Sequence, residues 1–158
     1  MTTVRPATAA DVPTILRFVR ELAEFEREPD AVEATEDMLR HALSGPHPAA
    51  EAVIAEAAGI PAGFALFFHN FSTWTGRRGL YLEDLYVTPQ ARGRGVGKAL
   101  LRHLAALAID RGCARFEWAV LDWNADAIAV YRAIGAVPLD EWTVQRVTGD
   151  ALHRLAGR

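Results

Sequence analysis

The sequence predicts an α/β (α+β) fold, a mixed and mostly antiparallel sheet of about six to seven strands flanked by helices. Three observations lead there. Hydrophobic periodicity alternates between strand-like and helix-like stretches in the order β-α-α-β-β-β-α-β-α-β-β. Three consecutive strand patterns are joined only by Gly59-Ile60-Pro61 and Thr75-Gly76-Arg77-Arg78-Gly79, the signature of an antiparallel meander. The β-α-β that follows implies a parallel neighbour, and a mixed sheet of this kind is covered by helices. At 158 residues, one domain spanning 1–158 is expected. A chain of that length buries roughly two-thirds of its unfolded surface.

Each element has a local cause. Thr2 to Pro6 reads as a short strand ended by proline. Thr8 and Asp11 approximate a capping box. Val12, Ile15, Val19 and Leu22 then recur at helical spacing to about Arg27, with Pro13 tolerable in the first turn. A second helix starts after Thr35, with Glu36 and Asp37 at its positive end, and stops at Ser44-Gly45-Pro46. Glu51 to Ala57, Ala62 to Phe71 and Leu80 to Thr88 are the meander strands. Val96, Leu100, Leu104, Leu107 and Ala108 mark one face of a third helix, closed at Arg111-Gly112. Arg115 to Leu121 is a strand. Asn124 caps a fourth helix running to about Ile134 and stopped by Gly135. Ala136 to Leu139 and Trp142 to Val147 are the last expected strands, and Thr148 begins a short terminal helix.

The turn between the third meander strand and the third helix carries the chemistry. It reads Gln90-Ala91-Arg92-Gly93-Arg94-Gly95-Val96-Gly97-Lys98. Glycine lets a backbone approach a ligand closely. The first amides of a helix lack intrahelical partners and lie at the positive end of its dipole. Such a turn binds phosphate. It is no P-loop, because Arg92 occupies the first glycine position and Ala99 replaces Ser/Thr. It is no dinucleotide fingerprint either. Lys98 stands where the last glycine belongs, and the alternative frame fails at Leu100.

The pattern that fits is Arg92-x-x-Gly95-x-Gly97, which resembles the pyrophosphate loop of the GNAT acyltransferases. The element order matches that family over nearly the whole chain, so the resemblance implies a GNAT-type sheet and acetyl-CoA as co-substrate. It implies cofactor contacts from Leu85, Tyr86 and Val87, where a bulge is expected to splay the strand. It also implies contacts from Arg92, Gly93, Arg94, Gly95, Val96, Gly97 and Lys98, and from Asn124, Ala127 and Tyr131 in the fourth helix. Tyr131 matches the family's usual proton donor to the leaving thiolate. Within the family, Leu80-Tyr81-Leu82-Glu83-Asp84, Trp74-x-Gly76 and Glu21-Leu22-Ala23-Glu24-Phe25-Glu26 look like the spermidine/spermine and thialysine acetyltransferases. That likeness implies that Glu83 contacts the amine and that Phe25 and Glu26 hold the rest of a cationic substrate. Phe25 stands where the polyamine enzymes carry tyrosine, and Asp122 where they carry glutamate. It also implies a homodimer.

The residues support this reading independently. An amine must lose a proton before it attacks a thioester, which at pH 7 costs roughly 4–5 kcal/mol from a pKa near 10.4. A carboxylate facing it can take that proton directly or through water. Glu83, on the central strand, is the candidate base, and Tyr131 the candidate acid. The acidic set Glu26, Glu83, Asp84 and Asp122 suits a small cationic amine. Other amine acceptors (an amino acid, an antibiotic, a protein lysine) and a non-catalytic acyl-CoA-binding module are the alternatives. The net charge of −3 argues against nucleic acid. His41, His47, His69, His103 and His153 show no metal-ligand spacing, so no metal is expected. No apolar run reaches membrane-spanning length. The single Cys113 fits a reducing cytoplasm.

Overall fold

The computed structural model describes residues 1–158, which form two compact units, Met1–Ala119 and Val120–Arg158. The first unit is built on a five-stranded sheet in sequential order. Its strands are β1 (Thr2–Pro6), β2 (Glu51–Ala57), β3 (Ile60–Ser72), β4 (Arg77–Val87) and β5 (Phe116–Trp118). Neighbours from β1 to β4 are antiparallel, and β5 lies parallel to β4. The parallel pair needs a crossover, supplied by α3 (Val96–Asp110). Helices α1 (Val12–Phe25) and α2 (Glu36–Ser44) fill the first connection.

Alternation along β3 explains the two-sided core. Phe64 points to the face where Ile15 and Phe18 of α1 pack with Ile54 and Tyr86. Its neighbour Gly63 faces Val96 of α3. Because both faces are covered, β2 is buried continuously from Ala52 to Ala55 instead of alternating. At the start of α1, the Asp11 carboxylate accepts from the Thr8 amide and from both terminal nitrogens of Arg5. The Arg5 guanidinium holds that carboxyl down at about 2. The Thr35 hydroxyl accepts from the Met38 amide and caps α2 as expected.

The second unit contains α4 (Ala125–Ala133) and α5 (Gly149–Leu155) and no strand. Sheet strands therefore number five, against six to seven expected. The segments 136–139 and 142–147 alternate in sequence but pair with nothing. Pro138 removes a donor from the first, and Val137, Trp142 and Val144 are exposed. Alternation marks a strand only where a partner edge completes its hydrogen bonds. β5 is likewise trimmed to three residues. Helix α5 forms, although Thr148 makes no side-chain cap bond.

Candidate active site

Strand β4 carries one half of the expected site and leads into the other. Leu66 pairs with Asp84 and Phe67 with Leu82, so Glu83 is an extra residue that bulges out of the ladder. β5 pairs with β4 only from Leu80 to Leu82, so that strand leaves the edge from Glu83 to Val87 uncovered. The bulge was expected at Leu85–Val87, but those residues keep an unbroken register with Ala65, Phe64 and Gly63. A side chain at Gly63 would lie 2.5 Å from the Tyr86 carbonyl oxygen.

The bulge brings carboxylates together. Asp84 is half-buried, and its carboxyl is pushed up to about 6, first by burial and then by the charges of Glu83 and Glu26. Burial also raises Glu26, the residue that follows α1. Glu83 itself is exposed. The Tyr81 phenol is raised by burial and then by Glu83 and Glu117. Glu117 lies opposite Tyr81 in the parallel register of β5. No local pattern points to Glu117, because its proximity depends on a crossover pairing. The arrangement suits a cation that approaches Glu26, Glu83 and Asp84. It makes Asp84, ranked behind Glu83 from sequence, a carboxyl with a proton affinity suited to a base.

At the end of β4 the chain passes through a 3-10 turn, Pro89–Ala91, into the glycine loop. Gly93 and Gly95 take φ of 75° and 82°, the left-handed region that favours glycine. Gly95 is the residue before α3, and the first helical bond runs from the Ala99 amide to the Gly95 carbonyl (2.9 Å). The amides of Val96, Gly97 and Lys98 therefore stand ahead of the helical ladder. A Cβ at Gly93 or Gly95 would meet no atom within 4 Å, so the cradle is open. Arg94 and Lys98 are exposed beside it. Converging amides, a helix dipole and two cations suit a diphosphate.

Arg92 is placed differently from its neighbours. Its Nε donates to the Val87 carbonyl (3.1 Å), and its guanidinium lies over Phe25 at 5.3 Å and Tyr86 at 5.8 Å. The Tyr86 hydroxyl donates to Glu21 at 2.5 Å. Burial and that carboxylate push its phenol up to about 12. These side chains, with Arg17 and Glu24, border a groove of about 500 Å³. Glu21 was not among the expected site residues; its spacing of four from both Arg17 and Phe25, one face of a helix, is the available signal.

The remaining expected residues belong to the second unit. Asn124 Oδ1 accepts from the Ala127 amide at 3.3 Å, capping α4. Tyr131 is half-buried in α4, seven residues beyond the cap, and Asp122 is exposed. No group of three His, Cys, Asp or Glu side chains is placed to hold a metal. Cys113 is a free thiol beyond the C-terminal end of α3. His69 lies 3.4 Å from Arg111 at that end of the sheet, its imidazole lowered by burial first and by Arg78 and Arg111 next. No helix is long and apolar enough to cross a membrane.

The model of the acetyltransferase (GNAT) family matches residues 15–136. The chain is 40% identical over 166 residues to a thialysine N-epsilon-acetyltransferase of Sus scrofa, covering 98% of this chain and 97% of the relative. It is 31% identical over 197 residues to an L-ornithine N5-acetyltransferase of Arabidopsis thaliana, covering 96% and 86%. Among solved structures, an integron cassette protein from V. cholerae superimposes with a TM-score of 0.81 at 28% identity, over 99% of this chain and 98% of that one.

Proposed function

The chain belongs to the acetyltransferase (GNAT) family, and from that premise we propose that it acetylates a primary amine of a small cationic substrate, with acetyl-CoA as donor, by direct attack in a ternary complex. The thialysine and ornithine named for its relatives support a polyamine, diamine or thialysine-like amine as the acceptor. One observation carries the proposal: a single strand, β4, bears the carboxylate cluster at its bulge and runs directly into the open amide cradle.

Acetyl-CoA supplies the acetyl group as a thioester and departs as a thiol. The amides of residues 93–98, with Arg94 and Lys98, hold its diphosphate, and Asn124 and Ala127 line the path of its arm. The uncovered edge of β4 from Leu85 to Val87 offers backbone amides to charge developing on the carbonyl oxygen. Glu26 and Asp122 attract the ammonium form of the acceptor. Glu83 or Asp84 takes its proton, directly or through one water. A carboxyl held near 6 accepts a proton at neutral pH more readily than an ordinary one and is still mostly ionised. Tyr131 gives a proton to the leaving sulfur. Residues 1–158 act as one acetyltransferase domain in this scheme, and the working form is a cytoplasmic homodimer.

The deciding experiment measures thiol release from acetyl-CoA by purified protein against thialysine, lysine, ornithine, diamines, polyamines and neutral amino acids. Turnover confined to the cationic amines supports the proposal. Calorimetric binding of acetyl-CoA without turnover on any amine would make the protein a binding module instead. Gly95→Asp, which strains a positive-φ site and sets a negative charge in the cradle, should weaken acetyl-CoA binding at least about a hundredfold. Normal binding by that variant would remove the loop assignment.

A further inference from the structure

We infer that Phe25 serves the cofactor loop rather than the amine: it seats Arg92, the residue that opens the glycine loop. Phe25 and Glu26 are adjacent in sequence but serve different neighbours. The Glu26 carboxylate faces Asp84 closely enough to raise its proton affinity. Phe25, the last residue of α1, has the Arg92 guanidinium over its ring at 5.3 Å. A cation over an aromatic face is attracted by the ring's quadrupole, and that face is then occupied by the protein's own cation. Arg92 also lies over Tyr86 at 5.8 Å, and its Nε is fixed on the carbonyl of Val87, the last residue of β4. Tyr86 is itself held by Glu21 through its hydroxyl and by Phe18, with ring centroids 5.5 Å apart. Glu21, Tyr86, Arg92 and Phe25 thus form a chain of contacts from α1 to the residue that opens the glycine loop. Arg92 sits immediately before Gly93, so where its side chain is anchored sets where the following amides converge. Phe25, Tyr86 and Glu21 are positioning residues acting through Arg92.

This inference rests on the acetyl-CoA reading, and its test separates the two. Acetyl-CoA affinity is measured by calorimetry for the wild type, Phe25→Leu, Phe25→Trp, Arg92→Gln and the double variant Phe25→Leu/Arg92→Gln. Steady-state constants for both substrates and thermal midpoints accompany it. Phe25 is 43% exposed, so its replacement is compatible with folding. Phe25→Leu should weaken acetyl-CoA binding about threefold to tenfold, with kcat and the amine KM altered less than about twofold. Phe25→Trp, which restores an aromatic face, should bind like the wild type. Arg92→Gln should be weaker still, and adding Phe25→Leu to it should cost nothing further. The inference is overturned if Phe25→Leu raises the amine KM while acetyl-CoA affinity stays within about twofold, or if the two single effects simply add. A wild-type protein that binds no acetyl-CoA would instead sink the functional reading itself, and this inference with it.

Discussion

Residues 1–119 and residues 120–158 are held in shape by different physics. Every buried side chain, from Asp11 to Ala108, belongs to the first unit, and none of residues 120–158 is buried. The first is made by non-local pairing, with β2 meeting β3, β3 meeting β4, and Phe18 and Phe64 stacking at 5.8 Å. The second is made by local signals, above all the Asn124 cap and the stop at Gly135. The contrast separates stability from chemistry. The amide cradle and the carboxylates belong to the unit that carries the buried core, while the proposed acid, Tyr131, stands on a short helix of the unit in which no residue is buried.

The comparison is broken most directly by truncating the core. Phe64→Ala should cost about 3–5 kcal/mol of unfolding free energy in urea, because a fully buried ring leaves a cavity. A loss under about 1 kcal/mol would mean that the sheet core is not what holds the first unit. Next in size is Tyr131→Phe, which should lower kcat about a hundredfold while unfolding stability stays within about 0.5 kcal/mol. Unchanged turnover would end its role as acid, and a large stability loss would mean that the second unit is structurally essential.

Asp84→Asn sharpens the contrast within the first unit. The folded protein holds this carboxyl at about 6, above its ordinary 3.8. The native state therefore binds more protons than the unfolded state between those values, and the group lowers stability progressively as pH rises through that window. The asparagine variant should be more stable at pH 7.5 by up to about 3 kcal/mol, and nearly indistinguishable from wild type below pH 4. Its amine KM should rise. Denaturant midpoints at pH 3.5 and 7.5 check the sign, and equal gains at both would refute burial of charge as the cause. Smallest of all, Trp142→Ala should move the stability of the isolated chain by less than about 0.5 kcal/mol, since Trp142 is 68% exposed.

Much of the fold was legible wherever a local signal and a non-local one agreed. The limits of β1 and β2, the Thr35 cap and the Asn124 cap match expectation. Agreement ended where the outcome needed a partner. Trp142 to Val147 alternates like a strand, yet no edge receives it. β4 begins at Arg77 rather than Leu80, because β3 extends to Ser72 and pairs with it. The site divides in the same way. Glycines at 93 and 95 are readable as a tight left-handed turn because glycine adopts those angles without strain. The bulge at Glu83, the lifted carboxyl of Asp84 and the rings beneath Arg92 are invisible in sequence, since each depends on residues tens of positions away.

The sequence by itself determined the local conformations that one or two residues can dictate: helix starts, left-handed turns, and the bare amides that open α3. Only the tertiary structure decided which charges meet, because screened charge–charge and cation–aromatic interactions act only over about 10 Å or less. The influence of Glu26 on Asp84 and the seating of Arg92 over Phe25 arise only once α1 has packed against the sheet.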